Sequence, residues 1–114
     1  MEAANVQIDS DERPGEARVS VSGELDVSAA PRLARAADKV LEGGPRRLLL
    51  DLSGLRFIDS SGLRTIIVLH QRASQEGWAL EVVRPPKHLM TIFQISGMDE
   101  HLHFVEGQGR DVAR

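Results

Sequence analysis

Arg47-Leu48-Leu49-Leu50-Asp51-Leu52-Ser53-Gly54-Leu55-Arg56-Phe57-Ile58-Asp59-Ser60-Ser61-Gly62-Leu63 is the stretch that decides the fold. Its centre, Leu48-Leu49-Leu50, turns no polar residue toward water, the pattern of a strand covered on both faces in a parallel sheet. Ser53-Gly54 reads as a turn and Phe57-Ile58 as a short apolar step. Asp59-Ser60-Ser61-Gly62 then opens a helix, because Asp and Ser are the residue types that cap free N–H groups. A buried strand running into a helix is half of a βαβ unit.

Downstream, the helix from Leu63 to about Gln75 carries Leu63, Ile66, Ile67 and Leu69 and stops at Gly77. Ala79 to Val83 reads as a strand. Pro85-Pro86 leads into a helix with Leu89, Ile92 and Phe93 on one face, and Gly97 before Met98 closes it. His103-Phe104-Val105 is a last short strand. Upstream, Gly43-Gly44-Pro45 ends a helix whose apolar positions are Ala30, Leu33, Ala34, Ala37 and Leu41, with Ser28 as its candidate cap and Pro31 in its first turn. Before it, Ala17 to Ser22 alternates apolar and polar as a half-exposed strand that Gly23 breaks. Val6-Gln7-Ile8 forms a short partner strand, and Asp9 to Glu16 with Pro14-Gly15 forms the turn between them.

The order is strand, strand, helix, strand, helix, strand, helix, strand. It predicts an α/β fold with a small mixed, mostly parallel sheet and about three main helices. Residues 1–106 make one domain and 107–114 a flexible tail, since 114 residues support one core.

Composition narrows the function. A net charge of −3 gives no basic field for nucleic acid or an anionic membrane. With three Phe, one Trp and no Tyr, there is little material for stacking bases. With no cysteine, thiolate metal sites, disulfides and cysteine nucleophiles are excluded. The apolar runs Leu48–Leu50 and Ile66–Leu69 are far shorter than the roughly 20 residues of a membrane span. The amino-terminal residues have neither the basic nor the apolar region of a secretory signal, so the chain is expected in the cytoplasm.

Chemical constellations are few. There is no G-x-S-x-G elbow, P-loop or G-x-G-x-x-G, and Gly107-Gln108-Gly109 precedes no helix. His101 and His103 would share a face if both lay on a strand, but no acidic cluster accompanies them, and His70 and His88 stand singly in helices. No metal or cofactor is expected. The informative segment is Asp59-Ser60-Ser61-Gly62, at the carboxyl edge where open α/β sheets place functional groups. One reading is a helix cap, by Asp59 or Ser60. The other starts from three cap-type residues standing where one is needed. The Gly23-Glu24-Leu25-Asp26 segment should also bring Glu24 and Asp26 to the same edge. A phosphate at a helix N-terminus is tolerated by the dipole, yet it adds about −1.5 to −2 charge beside existing carboxylates, which suits a switch.

These residues resemble the STAS-domain anti-sigma factor antagonists of bacteria from about Val6 to Val105. The markers are Gly23-Glu24-Leu25-Asp26, Leu49-Leu50-Asp51-Leu52-Ser53-Gly54-Leu55, Phe57-Ile58-Asp59-Ser60-Ser61-Gly62-Leu63 and Ile95-Ser96-Gly97-Met98. The resemblance implies a STAS-like fold and a binding protein rather than an enzyme. It implies that Ser60 is phosphorylated by an anti-sigma factor serine/threonine kinase, that the unphosphorylated form binds this kinase and frees the sigma factor, and that a PP2C-type phosphatase reverses the step. The family motif often continues Gly-Leu-Gly, whereas Arg64 stands here. The expected partner surface comprises Glu24, Asp26, Asp59, Ser60, Ser61, Gly62, Arg64 and Val68, with Gln71 and Gln75 continuing the helix stripe. Ser60 rather than Ser61 should present its hydroxyl to solvent. The chain is expected as a monomer or weak dimer, with neither nucleic acid nor membrane insertion. A STAS subunit in a signalling or transport assembly, without a phosphorylation cycle, is the alternative.

Overall fold

A computed structural model describes residues 5–106. The strands are β1 (Val6–Arg13), β2 (Glu16–Leu25), β3 (Arg47–Ile58), β4 (Ala79–Val83) and β5 (His103–Val105). The helices are α1 (Ala30–Leu41), α2 (Ser60–Glu76) and α3 (Lys87–Ile95), and a 3-10 turn spans Met98–Glu100. The sheet runs β1-β2-β3-β4-β5, in chain order, with β1 antiparallel to β2 and every later pair parallel. The expected mixed, mostly parallel sheet with three main helices is what the chain forms. The tail expected at 107–114 lies outside the described residues.

Crossovers of one hand that step in one direction across a sheet put their helices on one face. The burial pattern follows that rule. Ala17, Val19, Val21 and Leu25 of β2 are buried, as are Leu48, Leu50, Leu52, Leu55 and Ile58 of β3 and Leu80 and Val82 of β4. These join Leu33, Ala37 and Val40 of α1, Ile66 and Leu69 of α2, and Leu89 and Phe93 of α3 in one core. On the opposite face of the sheet only Asp51 and Val83, adjacent in register, are buried among the described strand residues. The expectation that β3 is covered on both faces is therefore corrected. Leu49 points to the open face and is half-buried, flanked in register by Arg18 and Glu81, whose aliphatic stems can cover it.

Two expected turns are strand instead. Asp9 to Arg13 continues β1, and only Pro14-Gly15 turns. An edge strand needs no buried partner on its outer side, and charged residues there discourage pairing with other chains. Ser53-Gly54 does not end β3; the strand passes through it to Ile58 with register shifts against β2 at Ser20/Ser22 and Gly23/Glu24. Gly23 does not break β2 either. It takes φ 91° within the strand, and a side chain there would lie 2.0 Å from the Asn5 carbonyl oxygen.

The buried carboxylate of Asp51 explains how a polar residue sits mid-strand. Its Oδ1 accepts from the Ser53 N–H at 3.0 Å and the Ser53 hydroxyl at 2.7 Å, and its Oδ2 from Arg18 at 2.6 Å. Burial works to raise its pKa, but the Ser53 and Arg18 interactions outweigh it and hold the carboxyl below the ordinary carboxylate range.

Candidate functional site

Leu25 pairs with Ile58 at the ends of two parallel strands, so the chain leaves β2 and β3 at the same edge. The two exits are tied together where the Asp59 N–H donates to the Leu25 carbonyl at 3.3 Å. This brings Glu24 and Asp26 to the edge that holds Asp59, Ser60 and Ser61, as the strand order predicts.

Asp59 settles which residue caps α2. Its Oδ1 accepts from the Ser61 N–H at 2.9 Å and the Gly62 N–H at 3.1 Å. With the cap one residue earlier than Ser60, the helix begins at Ser60 rather than Leu63. Gly62 is buried, and a side chain at that position would lie 2.6 Å from the Leu25 carbonyl oxygen and 2.9 Å from the Ile58 side chain. Only a residue without Cβ lets the first turn rest on the strand ends. The two serines then differ. Ser60 is exposed, whereas Ser61 is half-buried and its carbonyl accepts from the Thr65 hydroxyl at 3.2 Å.

The neighbouring loop has a second aspartate in a similar role. Oδ1 of Asp26 accepts from the Ser28 hydroxyl at 2.8 Å, the Ser28 N–H at 3.1 Å and the Ala29 N–H at 3.1 Å. The Ser28 hydroxyl, first among these donors, holds the Asp26 carboxyl below its ordinary range. The expected cap of α1, Ser28, is thus corrected: Ala29 occupies the cap position and Ser28 donates to Asp26. An ionised carboxylate is the stronger acceptor and takes the free amides first.

Along α2, Arg64, Val68, Gln71 and Gln75 are all exposed, and Val68 keeps 45% of its surface in solvent. Ile67, read as part of the apolar face, is exposed too, because burial falls on Gly62, Ile66, Leu69 and Ala73. Two residues were missed. Val27, 68% exposed, follows Asp26, and Phe57, 47% exposed, precedes Ile58 on the open sheet face. Val27 carried a legible signal, an apolar residue outside either neighbouring periodicity. Phe57 carried one too: alternation from Leu48, Leu50 and Leu52 sets residue 57 outward and Ile58 inward, because the two register shifts between them cancel.

His101 follows the 3-10 turn and His103 begins β5, so they do not share a strand face; the His101 ring lies tilted by 55° against that of His70, with centroids 6.2 Å apart. No group of three or more His, Asp or Glu side chains suited to a metal occurs among the described residues. A hollow on the open sheet face is lined by Arg13, Glu16, Arg18 and Arg47. Its charges are paired, Arg47 with Glu16 and, at 3.4 Å, Glu81. No described helix is long and apolar enough to cross a membrane.

Comparison with known proteins gives the family and the fold. The family described as Mlab, STAS domain, matches residues 8–106. An anti-sigma-B factor antagonist of Staphylococcus aureus is 27% identical over 89 residues, covering 78% of this chain and 82% of the relative. The crystal structure of an anti-sigma factor antagonist from Mycobacterium paratuberculosis superposes with a TM-score of 0.73 at 25% identity, over 91% of this chain and 89% of that one. Bacillus SpoIIAA shares the fold in both its unphosphorylated form (TM-score 0.72, 16% identity, 96% and 99% coverage) and its phosphorylated form (0.69, 17%, 91% and 94%). A family match over nearly all the described residues, on a fold of the same order, means that the chain belongs to the STAS domain family.

Proposed function

We propose that this protein is an anti-sigma factor antagonist switched by phosphorylation of Ser60. The observation that carries the reading is the setting of Ser60: an exposed hydroxyl directly after the capping Asp59, at the edge that also holds Glu24 and Asp26. The names of the bacterial relatives support it. Unphosphorylated, the edge formed by Glu24, Asp26, Asp59, Ser60, Ser61 and Gly62, with Arg64 and Val68 on α2, docks on an anti-sigma factor serine kinase, which then releases its sigma factor in the cytoplasm.

In the modification step the Ser60 Oγ attacks the γ-phosphorus of ATP. The bond to the β,γ-bridging oxygen breaks and ADP leaves, while the hydroxyl proton passes to a base of the kinase. A PP2C-type phosphatase reverses the state: water attacks the phosphorus and serine and inorganic phosphate are restored. The phosphate blocks docking because it occupies contact space and brings a charge that must be desolvated there.

The reading is tested by incubating the purified chain with the kinase and labelled ATP. Ser60→Ala abolishes incorporation and Ser61→Ala retains most of it. Label on Ser61 of the unaltered chain would overturn the assignment. A second reading has one observation in its favour, the family description as Mlab rather than as an antagonist. In it the chain is a subunit of an assembly with no phosphorylation cycle. It predicts no incorporation at all, and a partner that binds Ser60→Asp as well as the unaltered chain.

A further inference from the structure

We propose that Arg64 is the built-in counter-charge of a phosphate on Ser60, so that modification closes an ion pair along α2 and withdraws a cation from the docking face. The inference rests on the reading of Ser60 as acceptor and adds how the modified state is held.

Three observations lead to it. First, the amides that would ordinarily receive a phosphate at a helix start are taken. Those of Ser61 and Gly62 end on the Asp59 carboxylate, and the Leu63 N–H ends on the Asp59 carbonyl at 3.0 Å. A phosphate on Ser60 could use them only by displacing the cap. Second, three carboxylates stand at this edge, Asp59 beside Ser60, and Glu24 and Asp26 from the end of β2 and the turn after it, while the cations of the adjoining segments, Arg56 on β3 and Arg32 in the first turn of α1, are not on the helix that carries Ser60. A dianion there needs a cation. Third, Arg64 lies four residues after Ser60, one turn along the same exposed face, and no hydrogen bond or ion pair engages its side chain among the described residues. Groups at this spacing are helix-surface neighbours, and the order anion before cation is the favourable one. The guanidinium fork matches phosphate oxygens.

The position is otherwise hard to account for. A cation near a helix N-terminus opposes the macrodipole, and Arg64 has no carboxylate to offset this. A phosphate on Ser60 turns that mismatch into an attraction. It follows that the modified edge gains less net negative charge than the phosphate alone brings. It follows too that the partner loses Arg64 as a contact, so a carboxylate on the partner within reach of Arg64 is part of the surface it fits.

The test uses the full chain with phosphoserine placed at residue 60 during translation, which needs no kinase. The phosphate is titrated by ³¹P NMR in the unaltered sequence, in Arg64→Gln and in Arg64→Lys. Its second ionisation, near pH 6 in a free phosphoserine, should fall lower with Arg64 than with Gln by roughly 0.2–0.7 pH unit, the size of an exposed pair. Lys should keep most of the difference, and high salt should shrink it. Identical titrations with Arg64 and with Gln would overturn the proposal. Because no partner takes part, a titration difference without any kinase binding would sink the proposed function and leave the role of Arg64 standing, and the opposite pair of results would do the reverse.

Discussion

Asp51 and Asp59 are both aspartates that accept two hydrogen bonds from residues just downstream, yet they serve different ends. Asp59 orders the first turn of α2, on the surface proposed to meet a partner. Asp51 is locked inside the sheet face by Ser53 and Arg18 and is structural. Its folded-state pKa lies below that of the unfolded chain, so its contribution is full above the unfolded value near 3.9 and is lost as pH falls through the folded value. Asp51→Asn should lower stability at neutral pH by roughly 1–3 kcal/mol, since it weakens a charge-assisted bond and leaves Arg18 without its partner. The variant should also lose less stability than the parent between neutral pH and pH 3. Urea unfolding at a series of pH values checks both. The motif residues Asp59, Ser60 and Ser61 were legible in the sequence because capping chemistry is local. The Asp51 network was not, because Arg18 lies 33 positions away and meets it only through strand pairing.

At the scale of elements, helix α2 shows what periodicity can and cannot deliver. The buried positions Ile66, Leu69 and Ala73 follow the helical repeat, whereas Ile67 and Val68 complete an apolar run that the repeat turns outward. Val68→Asp should therefore leave the melting temperature nearly unchanged, a surface change being worth within about 0.5 kcal/mol, while binding to the anti-sigma partner falls. Thermal unfolding together with a binding isotherm checks this; an unfolded variant would place Val68 in the core and remove it from the docking face. The strands were harder to read than the helices. β1 runs on through Asp9, Ser10, Asp11 and Glu12 because its backbone is satisfied by β2, and no apolar alternation marks this edge strand, whose residues from Asp9 onward are exposed. Leu48-Leu49-Leu50 misled in the opposite sense. Three apolar residues in a row suggest two covered faces, but one of them, Leu49, is sheltered by long polar neighbours instead of a helix.

For the whole molecule, the switch should be local. The Ser60 hydroxyl is exposed and bears on no core contact, so a phosphate can be added without moving a strand. SpoIIAA keeps this fold in both of its forms. Ser60→Asp should melt close to the unaltered chain and bind the kinase more weakly by roughly two orders of magnitude, about 2.8 kcal/mol. Amide spectra should change around α2 and the loop after β2 and nowhere else; shifts reaching β4 or β5 would show a conformational switch instead. The order of the sheet carries one more consequence. Each strand lies beside the one made just before it. During synthesis no strand has to wait for a later one before it finds its neighbour, and none must be threaded between two already paired. The sheet can thus grow outward from the β1–β2 hairpin as chain leaves the ribosome, and besides the charged outer edge of β1 the unpaired edge exposed at any moment is that of the newest strand.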